Sequence, residues 1–506
     1  MVARLEQRRE TRGRERRWRG IPPGGGFPER AIRGAVAGWL LIYLGLVLTG
    51  TSRAQADLPV RVALGAIDIT PDPAADAPVW IAGYGMGRRA TGVHDPLYAR
   101  CLIVSDGSTK VALVSVDLVG LQFPEVTRIR ERLADFEYVL VSSTHNHEGP
   151  DVIGIWGRSP IHRGVDEKYL DQVVDKVAEL CRQTERRLAP AKAEFGTAKD
   201  DSLLRDSREP QVKDGVLRVL ALTGSDGKKA GLMVDWSSHP ESMGSKNSLL
   251  TADFPAATIG WLEKRYGCPI AYFSGAVGGL MTPPRQRIRG DDGQFLNEGD
   301  FAFMERYGEA VGELAAQAVE RAPNAVRLHP IHVASQRIFL PVENALYRAA
   351  RGLNVLVRDA TVWSGDPTRK GAPLGIENAD QTMAIETEVA CIRLGDVYLA
   401  CIPGEIYPEL LYGQFQEPVD PNVDYPDAPL EPHVEQILAG KKWMLIGLAN
   451  DEVGYIIPRR QWDKVAPFAY GRKESQYGEV NSCGPQVAPI LMQALQQCAK
   501  RLETVR

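Results

Sequence analysis

The 506-residue chain is poor in cysteine and in histidine, and it lacks the repeats and linkers that mark modular proteins. Its seven cysteines, Cys101, Cys181, Cys268, Cys391, Cys401, Cys483 and Cys498, include no CxxC or other close pair. An odd number leaves at least one thiol unpaired. Cys391 and Cys401 sit inside apolar runs, so buried free thiols and few structural disulfides are expected. No internal repeat recurs, which excludes a solenoid or a propeller. No linker or low-complexity tract interrupts the chain after its first 56 residues, so one large domain spanning 57–506 is predicted.

Those first residues read as a leader rather than as fold. Residues 1–34 hold ten arginines, four glutamates and no lysine, and residues 35–50 (AVAGWLLIYLGLVLTG) carry no charge at all. Ala54-Gln55-Ala56 then supplies a small-residue cleavage pattern, so 1–56 is read as a secretory signal peptide cut near Ala56. Export to the periplasm or the exterior is the expected localisation. The 16-residue apolar stretch is slightly short to span a bilayer, and uncleaved anchorage by residues 35–50 is the alternative. Setting aside the leader arginines, Arg53 and the four glutamates leaves 49 Lys+Arg against 60 Asp+Glu. A mature net charge of about −11 excludes nucleic acid as an expected partner. Nothing in the sequence specifies an oligomeric state.

Two of the eight histidines stand two residues apart in Thr144-His145-Asn146-His147-Glu148-Gly149-Pro150, and a third lies in Ser238-His239-Pro240. On an extended backbone residues i and i+2 share a face, which would aim both imidazoles of the pair at one point and suggests a metal or acid–base centre. The surrounding pattern is α/β. Val60 to Ile69, Cys101 to Ser105 and Val111 to Leu118 read as strands, Pro124 to Leu133 as a helix and Tyr138 to Ser143 as a strand, a βαβ unit with the pair just past its end. Leu232 to Trp236 is a strand running into His239, and helices are expected over Leu170 to Cys181, Pro255 to Tyr266, Phe301 to Ala322 and Pro485 to Leu502. Glu386 to Leu394 and Val397 to Ile402 flank a Gly395-Asp396 turn as a hairpin. The predicted class is a mixed, mostly parallel sheet flanked by helices, with both histidine motifs at carboxyl ends of strands, where open α/β sheets bind ligands. The arginine-bearing stretch from Arg348 to Lys370 shows no periodicity and reads as an extended loop over the site.

A set of collinear motifs carries the reading further. Gly65-Ala66-Ile67-Asp68-Ile69-Thr70-Pro71, Gly83-Tyr84-Gly85, His94-Asp95-Pro96-Leu97-Tyr98-Ala99-Arg100 and Val116-Asp117-Leu118 precede the histidine pair. Thr251-Ala252-Asp253-Phe254, Gly275-Ala276-Val277-Gly278, Pro403-Gly404-Glu405 and Asn450-Asp451-Glu452-Val453-Gly454-Tyr455 follow. In this order the sequence resembles the catalytic domain of the neutral/alkaline, non-lysosomal ceramidases. The resemblance implies one catalytic zinc held by His145, His239, Glu405 and Tyr455. His147 would then be free to act on the substrate, Thr282 would be the nearest hydroxyl to an expected active-site serine, and Asp253 would orient a ligand from behind. It implies an exported amidohydrolase that cleaves an N-acyl sphingoid lipid or related amide with metal-activated water, at a membrane surface.

Read without the family, Glu405 is a turn carboxylate, Tyr455 a core aromatic, His239 a core histidine and Asp253 an N-cap before Pro255. The chain also departs from the family. Gly278-Gly279-Leu280-Met281-Thr282-Pro283-Pro284 lacks the expected acid, Glu148 stands where a small residue is usual, and no room is left for the C-terminal immunoglobulin-like domain of full-length ceramidases. The alternatives are therefore a zinc hydrolase of a non-ceramide substrate, or a non-catalytic binding protein on the same scaffold.

Overall fold

The computed structural model describes residues 60–321 and 324–504. The expected leader, 1–56, with its apolar segment 35–50, lies outside the described residues, among which no helix is long and apolar enough to cross a membrane. A nine-stranded sheet contains β1 (Arg61–Asp68), β2 (Tyr98–Ser105), β3 (Lys110–Val116), β4 (Tyr138–Ser143), β5 (Ala189–Lys199), β6 (Val216–Gly224), β7 (Lys229–Trp236), β8 (Ile270–Ser274) and β9 (Asn324–Val326). The order is β8-β7-β6-β5-β1-β2-β3-β4, with β9 beside β5. A second sheet is built on β10 (Ile331–Val342), β11 (Met383–Leu394), β12 (Val397–Cys401) and β14 (Lys442–Ile446). Two-residue strands β13 (Glu405–Ile406) and β15 (Tyr455–Ile456) pair with each other.

The sheets are mixed, as expected, but antiparallel pairing predominates over the parallel pairing the sequence suggested. Parallel neighbours are β3–β4, β7–β8, β12–β14 and β13–β15, and the two-residue strands Gly92–Val93 and Leu249–Leu250. The reason is connection length. Tight turns such as Asp106 to Thr109 and Gly395-Asp396 return the chain antiparallel, whereas β3–β4 and β7–β8 enclose helices α1 (Phe123–Glu131) and α3 (Phe254–Tyr266) and return it parallel.

Packing forms four layers. Val111 and Leu113 of β3 face Ile392, Leu399 and Met444 of the second sheet, while Ala112, Val114 and Val116 face Val126, Val173 and Val177 of α1 and α2 (Glu167–Glu185). Burial on both faces explains why β3 is an unbroken apolar run. Helices α3 and α4 (Phe301–Arg321) cover the other half of the large sheet, and α6 (Val487–Thr504) covers the outer face of the second sheet. Each aliphatic side chain fully buried this way contributes about 1.5–3 kcal/mol. All seven cysteines are unpaired and buried. The stretch read as an extended loop after Arg348 begins inside a helix, α5 (Ala345–Gly352), capped by Asn344, whose side chain accepts from Leu346 and Tyr347.

The large sheet curls until its edge strands β4 and β8 meet. Ser274 Oγ donates to the Thr144 carbonyl at 2.6 Å. Residues just after β14 lace the seam, with Gly447 N–H donating to Ser274 O at 2.9 Å and Ser142 Oγ donating to Gly447 O at 2.8 Å. The carboxyl ends of the β3–β4, β7–β8 and β12–β14 pairs thereby open onto one place.

Candidate metal centre

His145 and His147 follow β4, and His239 follows β7. Their ring nitrogens converge within 4.8 Å of one another, and all three residues are buried. The convergence does not come from an extended backbone, as the i, i+2 argument supposed. Strand β4 ends at Ser143, and His145 takes the left-handed conformation with φ 66°, a sharp turn that brings the two ring centroids to 4.8 Å. Asp253 (φ 57°), Leu280 (φ 59°), Leu448 (φ 47°) and Asn450 (φ 66°) are also left-handed, so backbone strain gathers around this site. Each such residue costs about 1–3 kcal/mol, and such strain concentrates where function demands it.

Glu405 joins the histidines from β13, in the two-stranded pair with β15. Its Oε2 lies 2.9 Å from His239 Nε2 and 3.3 Å from His145 Nε2. The opposite ring nitrogens are held by backbone: His145 Nδ1 donates to Val119 O at 2.7 Å and His239 Nδ1 to Met281 O at 3.0 Å. Both Nε2 atoms are therefore turned inward onto one carboxylate oxygen. Tyr455 stands directly opposite Glu405 in the β13–β15 register, its ring 6.5 Å from that of His239. The four residues expected as ligands are thus brought together.

Electrostatics follow from the crowding. Burial opposes charge on His145, but the Glu405 carboxylate outweighs it by charge and hydrogen bond and lifts the imidazole to about 9. Burial would raise Glu405 too, yet His145 and His239 hold it below the usual carboxylate range. Burial and the neighbouring imidazoles push His147 well below its ordinary value, leaving it neutral. Its Nδ1 is 3.5 Å from Glu241 Oε2, too far for a hydrogen bond, and is otherwise unpartnered.

Two expected residues have other attachments. The Thr282 hydroxyl accepts from Arg205 Nε at 3.0 Å and Thr282 does not line the cavity. Asp253 caps α3 by accepting from Phe254 N–H, and it accepts from Ser242 N–H at 2.9 Å and from Ser242 Oγ. It fixes the loop three residues past His239 rather than touching an imidazole.

Sequence reasoning missed four residues. Tyr84 stands edge-on to His147 at 5.2 Å, its hydroxyl donating to Glu241 O at 2.7 Å. Arg88 donates to the carbonyls of His147 and Ala82, each at 3.0 Å, and pairs with Glu148, which also accepts from Asn247 at 2.8 Å. The unexpected Glu148 is thus the anchor of the guanidinium that holds His147. Glu452 lines the cavity with Oε2 buried and unpartnered. Its place in the Asn450 to Tyr455 motif was the available signal; Arg88 had none.

His145 and His147 line a cavity of about 200 Å³, whose walls are largely apolar, including Ile153, Trp156, Val342, Leu356, Met383 and Ile385. A concave apolar pocket with a few convergent polar groups is the usual form of a small-molecule site. No family model matches the sequence. Solved structures do match the fold. A neutral ceramidase from Pseudomonas aeruginosa aligns with TM-score 0.65 and 18% identity, covering 88% of this chain and 75% of that one. A ceramidase complexed with C2 aligns with TM-score 0.63 and 18% identity, covering 88% and 76%. The chain has the fold of the neutral ceramidases.

Proposed function

We propose that this chain is an exported, zinc-dependent amidohydrolase acting on a lipid-like N-acyl amide. The observation that carries the reading is the convergence of three imidazoles with Glu405 and Tyr455, beside an apolar cavity that His145, His147, Glu405 and Tyr455 line. The donor set fits zinc: two Nε2 atoms oriented by backbone carbonyls and one carboxylate oxygen facing both, with a phenol alongside. His145, His239, Glu405 and Tyr455 would hold the ion. When bound, zinc supplies Lewis-acid polarisation of an amide carbonyl and acidification of water.

The chain's own residues supply the rest. The walls around Ile153 and Leu356 exclude solvent and take the acyl chain. His147, neutral, would accept a proton from the attacking water and pass it to the leaving amine, with Glu241 3.5 Å from its Nδ1. Arg88 fixes the His147 backbone, and Tyr84 packs against the ring. Exposed Leu346, Leu353 and Val357 on and beside α5 support delivery of substrate from a membrane surface.

Metal analysis of the purified protein, paired with a fatty-acid release assay on short- and long-chain N-acyl sphingosines and simpler N-acyl amides, tests the reading. About one zinc per chain and release abolished by chelation are expected. A protein without metal, or one fully loaded that releases nothing from any amide, would overturn it.

A further inference from the structure

Two arginines, Arg351 within α5 and Arg358 after it, line the cavity that His145 and His147 also line. Arg358 is neutralised: its Nη1 donates to Asp451 Oδ1 at 2.8 Å, and its Nη2 reaches Asp451 Oδ2 and the Glu386 carbonyl. Arg351 is not. Its Nε donates to Arg358 O at 3.1 Å, which fixes the plane of the guanidinium. Its Nη1 and Nη2 have no hydrogen bond and no carboxylate within ion-pair distance among the described residues. Anchored through Nε and spare at both terminal nitrogens, the side chain presents the fork that binds carboxylate or phosphate oxygens in parallel.

The rest of the cavity sharpens the contrast. Ile153, Val342, Leu356, Met383 and Ile385 offer an alkyl chain no polar partner. The segment from Gly278 to Met281 carries no carboxylate, and its Leu280 packs against the cluster of Tyr407 and Tyr455. The carboxylates that do line the cavity are Glu405, held by His145 and His239, and Glu452, which accepts from Gly454 N–H at 2.7 Å. One cavity of about 200 Å³ touches both Arg351 and the histidine cluster, so a single modest molecule reaches both.

We propose that Arg351 binds an anionic group on the substrate, and that the amide cleaved here joins an acyl chain to an amine bearing a carboxylate or a similarly compact anion. This rests on the hydrolase reading above. The reaction is simple hydrolysis: water adds across the C–N bond, the acyl carbon gains the hydroxyl, the nitrogen gains the proton, and a fatty acid and an amino acid leave. A neutral amide of the same length leaves the guanidinium unpaired, and sites built around a polar group discriminate strongly against analogues that lack its partner.

The test compares N-dodecanoylglycine with N-dodecanoylethanolamine on the zinc-loaded full chain. We expect kcat/KM at least tenfold higher for the glycine amide. In Arg351→Gln that ratio should fall at least tenfold through KM for the acid, with partial recovery in Arg351→Lys and loss of preference in high salt. Equal turnover of the two amides by the unmodified protein, or a ratio unchanged in Arg351→Gln, would overturn the proposal. Calorimetric binding of dodecanoate and dodecanol separates this from failure of the hydrolase reading. Should no amide be cleaved, dodecanoate binding weakened tenfold by Arg351→Gln would still uphold anion recognition, and equal binding of both compounds would reject it.

Discussion

At the scale of single residues the histidine pair divides into two roles. His145 is turned onto Glu405 by the Val119 carbonyl, whereas His147 stands off with Glu241 behind it. His145→Ala should therefore lose at least nine-tenths of the bound zinc, while His147→Ala should keep the metal and lose turnover by about 10²–10⁴-fold, as removal of a proton-transfer group does. Equal metal loss in both would contradict the division. The lifted pKa of His145 makes a second prediction. At pH 7 the metal-free imidazole, titrating at about 9, holds a proton that zinc must displace, so zinc binding should release at least one proton per ion, with a second if Tyr455 binds as phenolate. Calorimetry in buffers of different ionisation enthalpy reads that number directly. The same pair affects the metal-free fold with a definite sign. A raised histidine stabilises fully below its ordinary 6.5 and loses that contribution as pH rises through about 9; a depressed glutamate stabilises above its ordinary 4.5 and loses it as pH falls. Metal-free stability from this pair should thus peak between about 4.5 and 6.5, measurable by urea unfolding across pH. Gly83 is the third residue of note. At φ 96° a Cβ would lie 2.3 Å from His147 Cγ, so Gly83→Ala should cost about 1–3 kcal/mol and depress turnover while zinc is retained.

At the scale of elements, what decides the site is how loops after strands are tethered. Arg88 and Glu148 form a nearly solvent-free pair whose partner contacts are the His147 and Ala82 carbonyls. Removing one member, as in Glu148→Ala, should destabilise by about 3–5 kcal/mol, since it strands a buried charge. The double change Arg88→Met with Glu148→Leu should recover much of that stability yet leave turnover low, because the His147 carbonyl has lost its donor. Thermal unfolding and kinetics on the three variants would separate these effects. The strands and helices themselves were legible in the sequence, since β4 and the hairpin of β11 and β12 fall within a few residues of their apolar runs. The collinear motifs also brought His145, His239, Glu405 and Tyr455 into view. Tethers such as Arg88 were not legible, because one arginine in a glycine-rich stretch has no periodicity and its meaning arises only from a partner 60 residues away. Asp95 behaves similarly, accepting from Ala252 N–H at 2.9 Å and so tying one motif to another. Parallel and antiparallel pairing was misjudged in balance for a related reason: periodicity reports a strand's burial but not the direction of its neighbour.

At the scale of the whole molecule, the curling of the large sheet assembles a centre from the ends of three parallel strand pairs. Its seam should be measurable. Ser274→Ala removes the 2.6 Å bond between the edges and should cost about 1 kcal/mol in global stability, but it should weaken zinc binding as well, because His145 and His239 hang from opposite sides of that seam. A loss of stability with unchanged zinc affinity would show the seam to be ordinary packing. The seam is completed by residues 447–450, and Tyr455 follows them, so the donors of the centre are drawn from 145 to 455 along the chain. Synthesis therefore delivers the first two histidines early and the residues that close the centre last. A polypeptide still emerging from the ribosome, or one broken before residue 455, carries the imidazoles without Glu405's strand partner and should hold no metal at this centre.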